Sequence, residues 1–282
     1  MSLRKVSKTV QGHPTIDGAG VHLTRVLGVR TVKDFDPFLM LDSFDSHNPE
    51  DYIAGFPLHP HRGIETITYL ISGEMEHQDS LGNKGVIRCG ESQWMTAGSG
   101  IMHQEMPKKG EWMLGLQIWL NLPQTEKMTH PVYFDIRKDM IPEVTGDFGT
   151  ARIISGEYLG TKGVKPAHIQ ATLIDFEVPQ GKTVNIPTKT GENAFIFIIL
   201  GSAEILGTKY PIKTAVLFEE KGDDVEIKAL EPLRFLFFQG KPLREPVAWG
   251  GPIVMNTDEE LRQTFQELED GTFIKHNAAS PI

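Results

Sequence analysis

The chain reads as all-β, a barrel or sandwich architecture built from two β-rich halves of one kind. Three observations predict it. Short runs of β-branched and aromatic residues recur between Gly and Pro turns. Helical spacing is confined to one segment near the C-terminus. Finally, Phe195-Ile196-Phe197-Ile198-Ile199-Leu200-Gly201-Ser202-Ala203-Glu204-Ile205 repeats the strand, Gly turn and returning strand of Ile67–Met75.

In order, turns at Gly12-His13-Pro14 and Asp17–Gly20 precede Val21–Leu27, which alternates like a strand. Phe38–Phe44 is a second apolar strand, and Ser46–Gly55 a polar loop. Thr66–Ile71 is a strand by composition; Ser72-Gly73-Glu74 turns it and Met75–Asp79 returns. Gln93–Ala97 and Trp112–Leu122 follow, the latter ended by Pro123. Residues 124–145, rich in Thr, Lys and Pro, read as a loop, and the second half begins near Ala151. Asp258–Leu268 is the helix, with Thr257 as N-cap, acidic residues in the first turn and Gly271 beyond its end. Leu261, Phe265 and Leu268 share one face, expected to pack on a sheet.

Bulk composition narrows the function classes. The 282 residues suffice for two ordinary domains, and 39% apolar with 23% charged content is that of a soluble globular protein. Lys+Arg 28 against Asp+Glu 37 gives −9, so no general attraction to nucleic acid or anionic membrane is expected. No apolar run reaches the roughly 18 residues that span a bilayer. The N-terminus lacks the apolar core of a signal peptide. Cys89 is the sole cysteine, which leaves no internal disulfide and fits a reducing compartment. It lies among strand residues and reads as a buried structural thiol. The expected location is the cytoplasm, or the nucleus in a eukaryote.

The chemistry concentrates between His59 and Glu105. His59-Pro60-His61 opens the stretch and His103-Gln104-Glu105 closes it. Alternate residues of a strand share a face, so each pair can converge. Two adjacent antiparallel strands would aim three imidazoles and one carboxylate at a single point, a metal site by ligand type. His22, His47, His130 and His168 stand alone and read as ordinary surface or core residues. In the second half, Thr190–Ala194 replaces the first pair and no His-x-Glu follows, so that half reads as structural.

Three segments carry a resemblance: Phe56-Pro57-Leu58-His59-Pro60-His61-Arg62-Gly63-Ile64-Glu65-Thr66, Gln93–Pro107 and Gly251–Thr257. They resemble the pirin family of the cupin superfamily, over nearly the whole chain to about Phe273. The resemblance implies a bicupin, two tandem jelly-roll-like antiparallel β-barrels with a C-terminal helix. Residues 1–130 would form the metal-binding barrel, and 131–282 a barrel without a metal site, carrying the helix and tail. It places the metal ligands on His59, His61, His103 and Glu105. The general cupin pattern would instead place the carboxylate at Glu65, and Glu65 shares strand parity with His61, which makes it a rival ligand or a supporting group.

The same resemblance implies a quercetin 2,3-dioxygenase-like activity, using one divalent ion and O2 on a flavonol. Iron is the first expectation, and such N/O donors also accept Mn, Co, Ni, Cu or Zn. Glu105 would accept the proton of the flavonol hydroxyl or hold its hydrogen bond, with Ile67, Tyr69 and Trp119 as pocket walls. Two alternatives stand beside it. Eukaryotic pirins act as redox-sensitive coregulators with a protein partner, and other cupins act on different small molecules.

Overall fold

The computed structural model describes residues 2–276, so the extreme tail lies outside the described residues. Contacts divide the chain into two discontinuous units. One comprises residues 14–30, 38–137 and 243–282; the other comprises 1–13, 31–37 and 138–242. The N-terminal strand therefore belongs with the C-terminal barrel, and the C-terminal helix with the first barrel, rather than following a single cut near residue 130. Strand pairing between segments far apart in sequence causes this: Val6–Gln11 pairs antiparallel with Thr214–Phe218.

Both units have the same plan, a seven-stranded antiparallel sheet facing a four-stranded one. In the first, the large sheet runs Val132–Ile136, Ser92–Thr96, Ile64–Ser72, Met113–Asn121, Phe38–Ser46, Val21–Leu27, His13–Asp17. Its small sheet runs Phe56–His61, Ile101–Pro107, Glu74–Asp79, Lys84–Arg88. Leu70, Phe44 and Met113 from the large sheet meet Met75 and Ile87 from the small one. In the second unit the strand Leu233–Gly240 is central, and its Phe235 stacks on Phe176 at 5.1 Å between centroids. Val184, Ile186 and Val225 of its small sheet close that core.

Three expectations change. Residues 132–136 are a strand, not loop, pairing with Ser92–Thr96; the run Val-Tyr-Phe-Asp-Ile alternates and has strong β propensity despite its Pro- and Lys-rich surroundings. Cys89 is exposed on the turn after Lys84–Arg88, its thiol donating to Ile71 O at 2.9 Å. The helix spans Asp258–Glu269 with a complete capping box between Thr257 and Glu260. Leu261 and Leu268 pack toward Ile253, Met255 and Phe273, but Phe265 is 39% exposed and Thr264 is the buried residue of the helix. Thr264 earns burial because the Arg62 guanidinium donates to its hydroxyl at 3.1 Å.

Arg62, next to His61, binds the tail to the first barrel. It is 2% exposed, donates to Ser99 O at 2.7 Å and Phe273 O at 2.9 Å, and pairs with Glu267 at 2.8 Å. Lys127 acts alongside it, its ammonium donating to Gly63 O, Asn121 Oδ1 and Val254 O. These bonds hold the strand Ile253–Met255 against the corner that follows His61.

Candidate metal centre

His59 and His61 lie on one face of the strand Phe56–His61 because they are two residues apart. Ile101–Pro107 runs antiparallel beside it, with His103 directly opposite His59. Ligand atoms of His59, His61 and His103 lie within 4.8 Å of one another, as the alternation predicts. A bulge follows in the first strand, so Glu105 stands opposite Phe56 rather than Pro57. Glu105 is outside that compact trio but lines the same cavity as His59 and His61. Thr68 Oγ1 donates to Glu105 Oε1 at 2.7 Å, and Gln93 Nε2 donates to the same oxygen. Among the described residues no protein hydrogen bond reaches Oε2.

Glu65 is not part of the cluster. The strand parity it shares with His61 holds only for an unbroken strand, and the chain turns a corner at Gly63, φ +77°. A Cβ there would fall 1.9 Å from Val254 O, so both conformation and space require glycine. The next strand, Ile64–Ser72, starts with reset parity. Thr68 faces Glu105, so Glu65, Ile67 and Tyr69 point to the opposite face, where Thr96 Oγ1 donates to Glu65 at 2.8 Å. Ile67 and Tyr69 are accordingly fully buried and do not wall the cavity, whereas Trp119 does. None of His22, His47, His130 and His168 joins the cluster.

Hydrogen bonds assign the imidazole protons. His59 Nδ1 lies 2.8 Å from Pro57 O, and His61 Nδ1 2.9 Å from Pro252 O. A carbonyl only accepts, so both Nδ1 atoms carry the proton and both Nε2 atoms present lone pairs. Those two Nε2 atoms are 3.1 Å apart, with no proton to share when the rings are neutral. His103 Nε2 is buried without a partner among the described residues. Burial holds His61 at about 3, with the neighbouring His59 adding to it and the Pro252 bond opposing it. Burial, with His61, His59 and His77 nearby, pushes His103 well below its ordinary value. Neutral imidazoles with converging lone pairs are what a divalent ion binds, since ligation requires the unprotonated nitrogen. Two nitrogens about 2.1 Å from an ion and at right angles to it stand about 3.0 Å apart, which the His59–His61 spacing matches. The residues present therefore fit a metal ion.

The adjoining cavity measures about 700 Å³, in the range of small-molecule sites. Trp119 meets His61 edge-on at 4.9 Å and approaches Trp249 at 5.8 Å; Met40, Phe44 and Phe56 extend the apolar wall. Arg25 adds the one cationic side chain of the lining, bound to Asp42 at 2.7 and 2.9 Å and to Asp17 at 2.6 Å. Its hydrogen bonds to Asp42, opposed by burial and reinforced by the charges of both carboxylates, raise it further above its usual range.

Sequence reasoning missed several participants. Pro252 and Trp249 reach the site from a segment nearly two hundred residues downstream, which no local pattern reveals. His77 and Asp79, buried on the strand Glu74–Asp79, stand opposite Glu105 and His103. Their His-x-Asp spacing obeys the alternation rule that found His59 and His61, and could have found them too.

Two β-barrels of common plan, one of them gathering histidines beside a ligand-sized cavity, define a bicupin with a candidate metal centre in its first barrel. Residues 20–120 match the Pirin family, and residues 173–274 match the Pirin C-terminal cupin domain. A pirin-like protein of Caulobacter vibrioides is 43% identical over 277 residues, covering 97% of this chain and 100% of that protein. Pirin of Homo sapiens is 39% identical over 277 residues, covering 95% and 93%. The crystal structure of a quercetin 2,3-dioxygenase from Acinetobacter baumannii superposes with a TM-score of 0.90 at 30% identity, covering 96% and 99%. The chain belongs to the pirin family.

Proposed function

We propose that this chain is a metal-dependent dioxygenase cleaving quercetin-like flavonols with O2, its ion held by His59, His61, His103 and Glu105. The observation that carries the reading is the convergence of one ring nitrogen from each of three imidazoles, two of them on the wall of an aromatic-lined cavity. Similarity to the Acinetobacter baumannii structure, which bears the name of that activity, supports it. Iron is the ion expected first, and the donors also accept Mn, Co, Ni, Cu or Zn. A bound divalent ion supplies Lewis acidity toward the flavonol enol and a redox partner for O2.

The remaining work falls to the chain. Glu105 Oε2, carrying no protein hydrogen bond among the described residues, accepts the proton of the flavonol 3-hydroxyl. Thr68 and Gln93, both on Oε1, keep the carboxylate from rotating away. Trp119 and Trp249 flank the flat rings of the substrate, and Met40, Phe44 and Phe56 exclude water from them. Both atoms of O2 enter the depside product, and one ring carbon leaves with its own oxygen as carbon monoxide.

Protein reconstituted separately with each ion and mixed with quercetin under air is expected to consume O2 as flavonol absorbance falls. The double variant His59→Ala with His103→Ala should abolish both signals. Full rate in that variant, or no consumption with any ion, overturns the reading.

A further inference from the structure

Behind His103, on the side away from the substrate cavity, lies a second buried polar pair that the proposed reaction does not use. Asp79 is held by the turn that follows it: Leu81 N donates to Oδ1 at 2.9 Å, Asn83 N to Oδ1 at 3.1 Å, and Asn83 Nδ2 to Oδ2 at 2.9 Å. Its carboxylate is fixed in place and can only accept. His77 Nε2 lies 3.1 Å from Oδ2 and must therefore donate, which leaves His77 Nδ1 as a lone pair. That lone pair faces His103 Nδ1 at 3.5 Å. The proton between the two rings then belongs to His103 Nδ1, and His103 Nε2 is the unprotonated, unpartnered atom turned to the cluster.

The His77 ring is also held in plane. Tyr133 stacks on it at 4.1 Å and 20°, and Tyr133 Oη donates to Asp135 Oδ1 at 2.5 Å. Gly85 is the cross-strand partner of His77, and a Cβ there would fall 2.1 Å from Tyr133 Oη. The missing side chain opens the slot that Tyr133 occupies.

We infer that His77 is a positioning residue for the metal centre: oriented by Asp79 and clamped under Tyr133, it fixes His103 in the tautomer that presents Nε2 to the ion. Packing alone would be served by either polarity of the contact between His77 and His103. Here the polarity matters, because the opposite tautomer would aim an N–H into the ligand cluster and exclude a cation. His59 and His61 obtain the same orientation from backbone carbonyls; His103, with no carbonyl bonded to Nδ1 among the described residues, obtains it through two side chains. The inference rests on the metal reading given above.

Asp79→Asn tests it by inversion. The backbone amides of Leu81 and Asn83 keep the new carbonyl as their acceptor at the Oδ1 position, and Asn83 Nδ2, already 3.2 Å from that oxygen, donates there alone, so the amide NH2 occupies the Oδ2 position and donates to His77 Nε2. His77 Nδ1 then holds the proton and donates to His103 Nδ1, which leaves His103 Nε2 protonated toward the cluster. His77→Phe keeps the ring and the Tyr133 stack but removes the acceptor. Each variant is expected to bind Ni(II) and Co(II) about 10- to 100-fold more weakly, the usual cost of losing an outer partner of a metal-binding histidine. Titration of the metal-free full-length chain by calorimetry reads the affinity, and thermal unfolding of the same samples reports how much protein is folded. A purely structural role would lower the unfolding temperature and leave affinity per folded molecule unchanged, which overturns the inference. Long-range proton–nitrogen correlation spectra of the metal-free wild-type protein decide the matter without any variant. His103 protonated on Nδ1 supports the proposal, and protonated on Nε2 overturns it. Failure of the underlying reading looks different: wild-type Ni(II) affinity that survives His59→Ala shows the ion is not held by this cluster.

Discussion

Removing the metal and lowering the pH from about 7.5 to about 4.5 should destabilise the protein along a slope set by its buried imidazoles. His61 titrates at about 3 in the folded chain against an ordinary 6.5, because burial disfavours its charged form and His59 lies beside it. In the unfolded chain it takes up its proton near 6.5. Between those values the unfolded state holds the additional proton, so stability falls as pH falls and is fully present only above 6.5. The loss is about 1.4 kcal/mol per pH unit, and about 2.7 kcal/mol for His61 alone by pH ~4.5. The ring is 2% exposed, so solvent screening does not reduce this much. His103 is shifted in the same direction and adds a contribution of the same sign. Urea denaturation in the presence of a chelator, at half-unit pH steps, measures the slope. In His61→Asn the non-titrating amide nitrogen stands where Nδ1 stands and still donates to Pro252 O, and the slope should be shallower by about 1.4 kcal/mol per unit. Parallel slopes for variant and wild type would refute the reasoning.

Other outcomes follow from named contacts. Under the proposed function, Glu105→Gln removes the proposed proton acceptor and should slow flavonol-dependent O2 uptake by about 100-fold or more, with the oxygen electrode as readout. Lys127→Met leaves Gly63 O, Asn121 Oδ1 and Val254 O without their donor. It should cost about 3 kcal/mol in thermal or chemical unfolding. Phe235→Ala opens a cavity beside Phe176 in the second barrel and should cost about 4 kcal/mol in the same measurement.

Much of the site was legible because its logic is local. Alternation along a strand is a rule about residues two apart, and it brought His59, His61 and His103 together correctly. It failed at Glu65 for an equally local reason: Gly63 turns the corner, and parity does not survive the turn. The N-cap at Thr257 and the repeat of Phe195–Ile205 on Ile67–Met75 were readable on the same terms. What escaped depends on partners remote in sequence. Nothing near Val6–Gln11 announces that it pairs with Thr214–Phe218, and nothing near Phe265 says that Arg62 draws Thr264 inward instead. Val132–Ile136 was hidden by its flanks, since the prolines and lysines around it outweighed five residues of good strand character. His77 escaped because a lone histidine in a strand is ordinary until its neighbours in space are known.

The bond from His61 to Pro252 spans 191 residues of chain. While the protein is being made, residues 38–137 of the first barrel leave the ribosome long before that acceptor exists, and nothing yet dictates which nitrogen of His61 bears its hydrogen. The same late segment supplies Val254, whose carbonyl packs on the bend after His61, and Trp249, which lines the cavity beside Trp119. If the cluster holds an ion as proposed, its capture would be timed: a half-finished chain would offer a poor chelator until the segment around Pro252 is made.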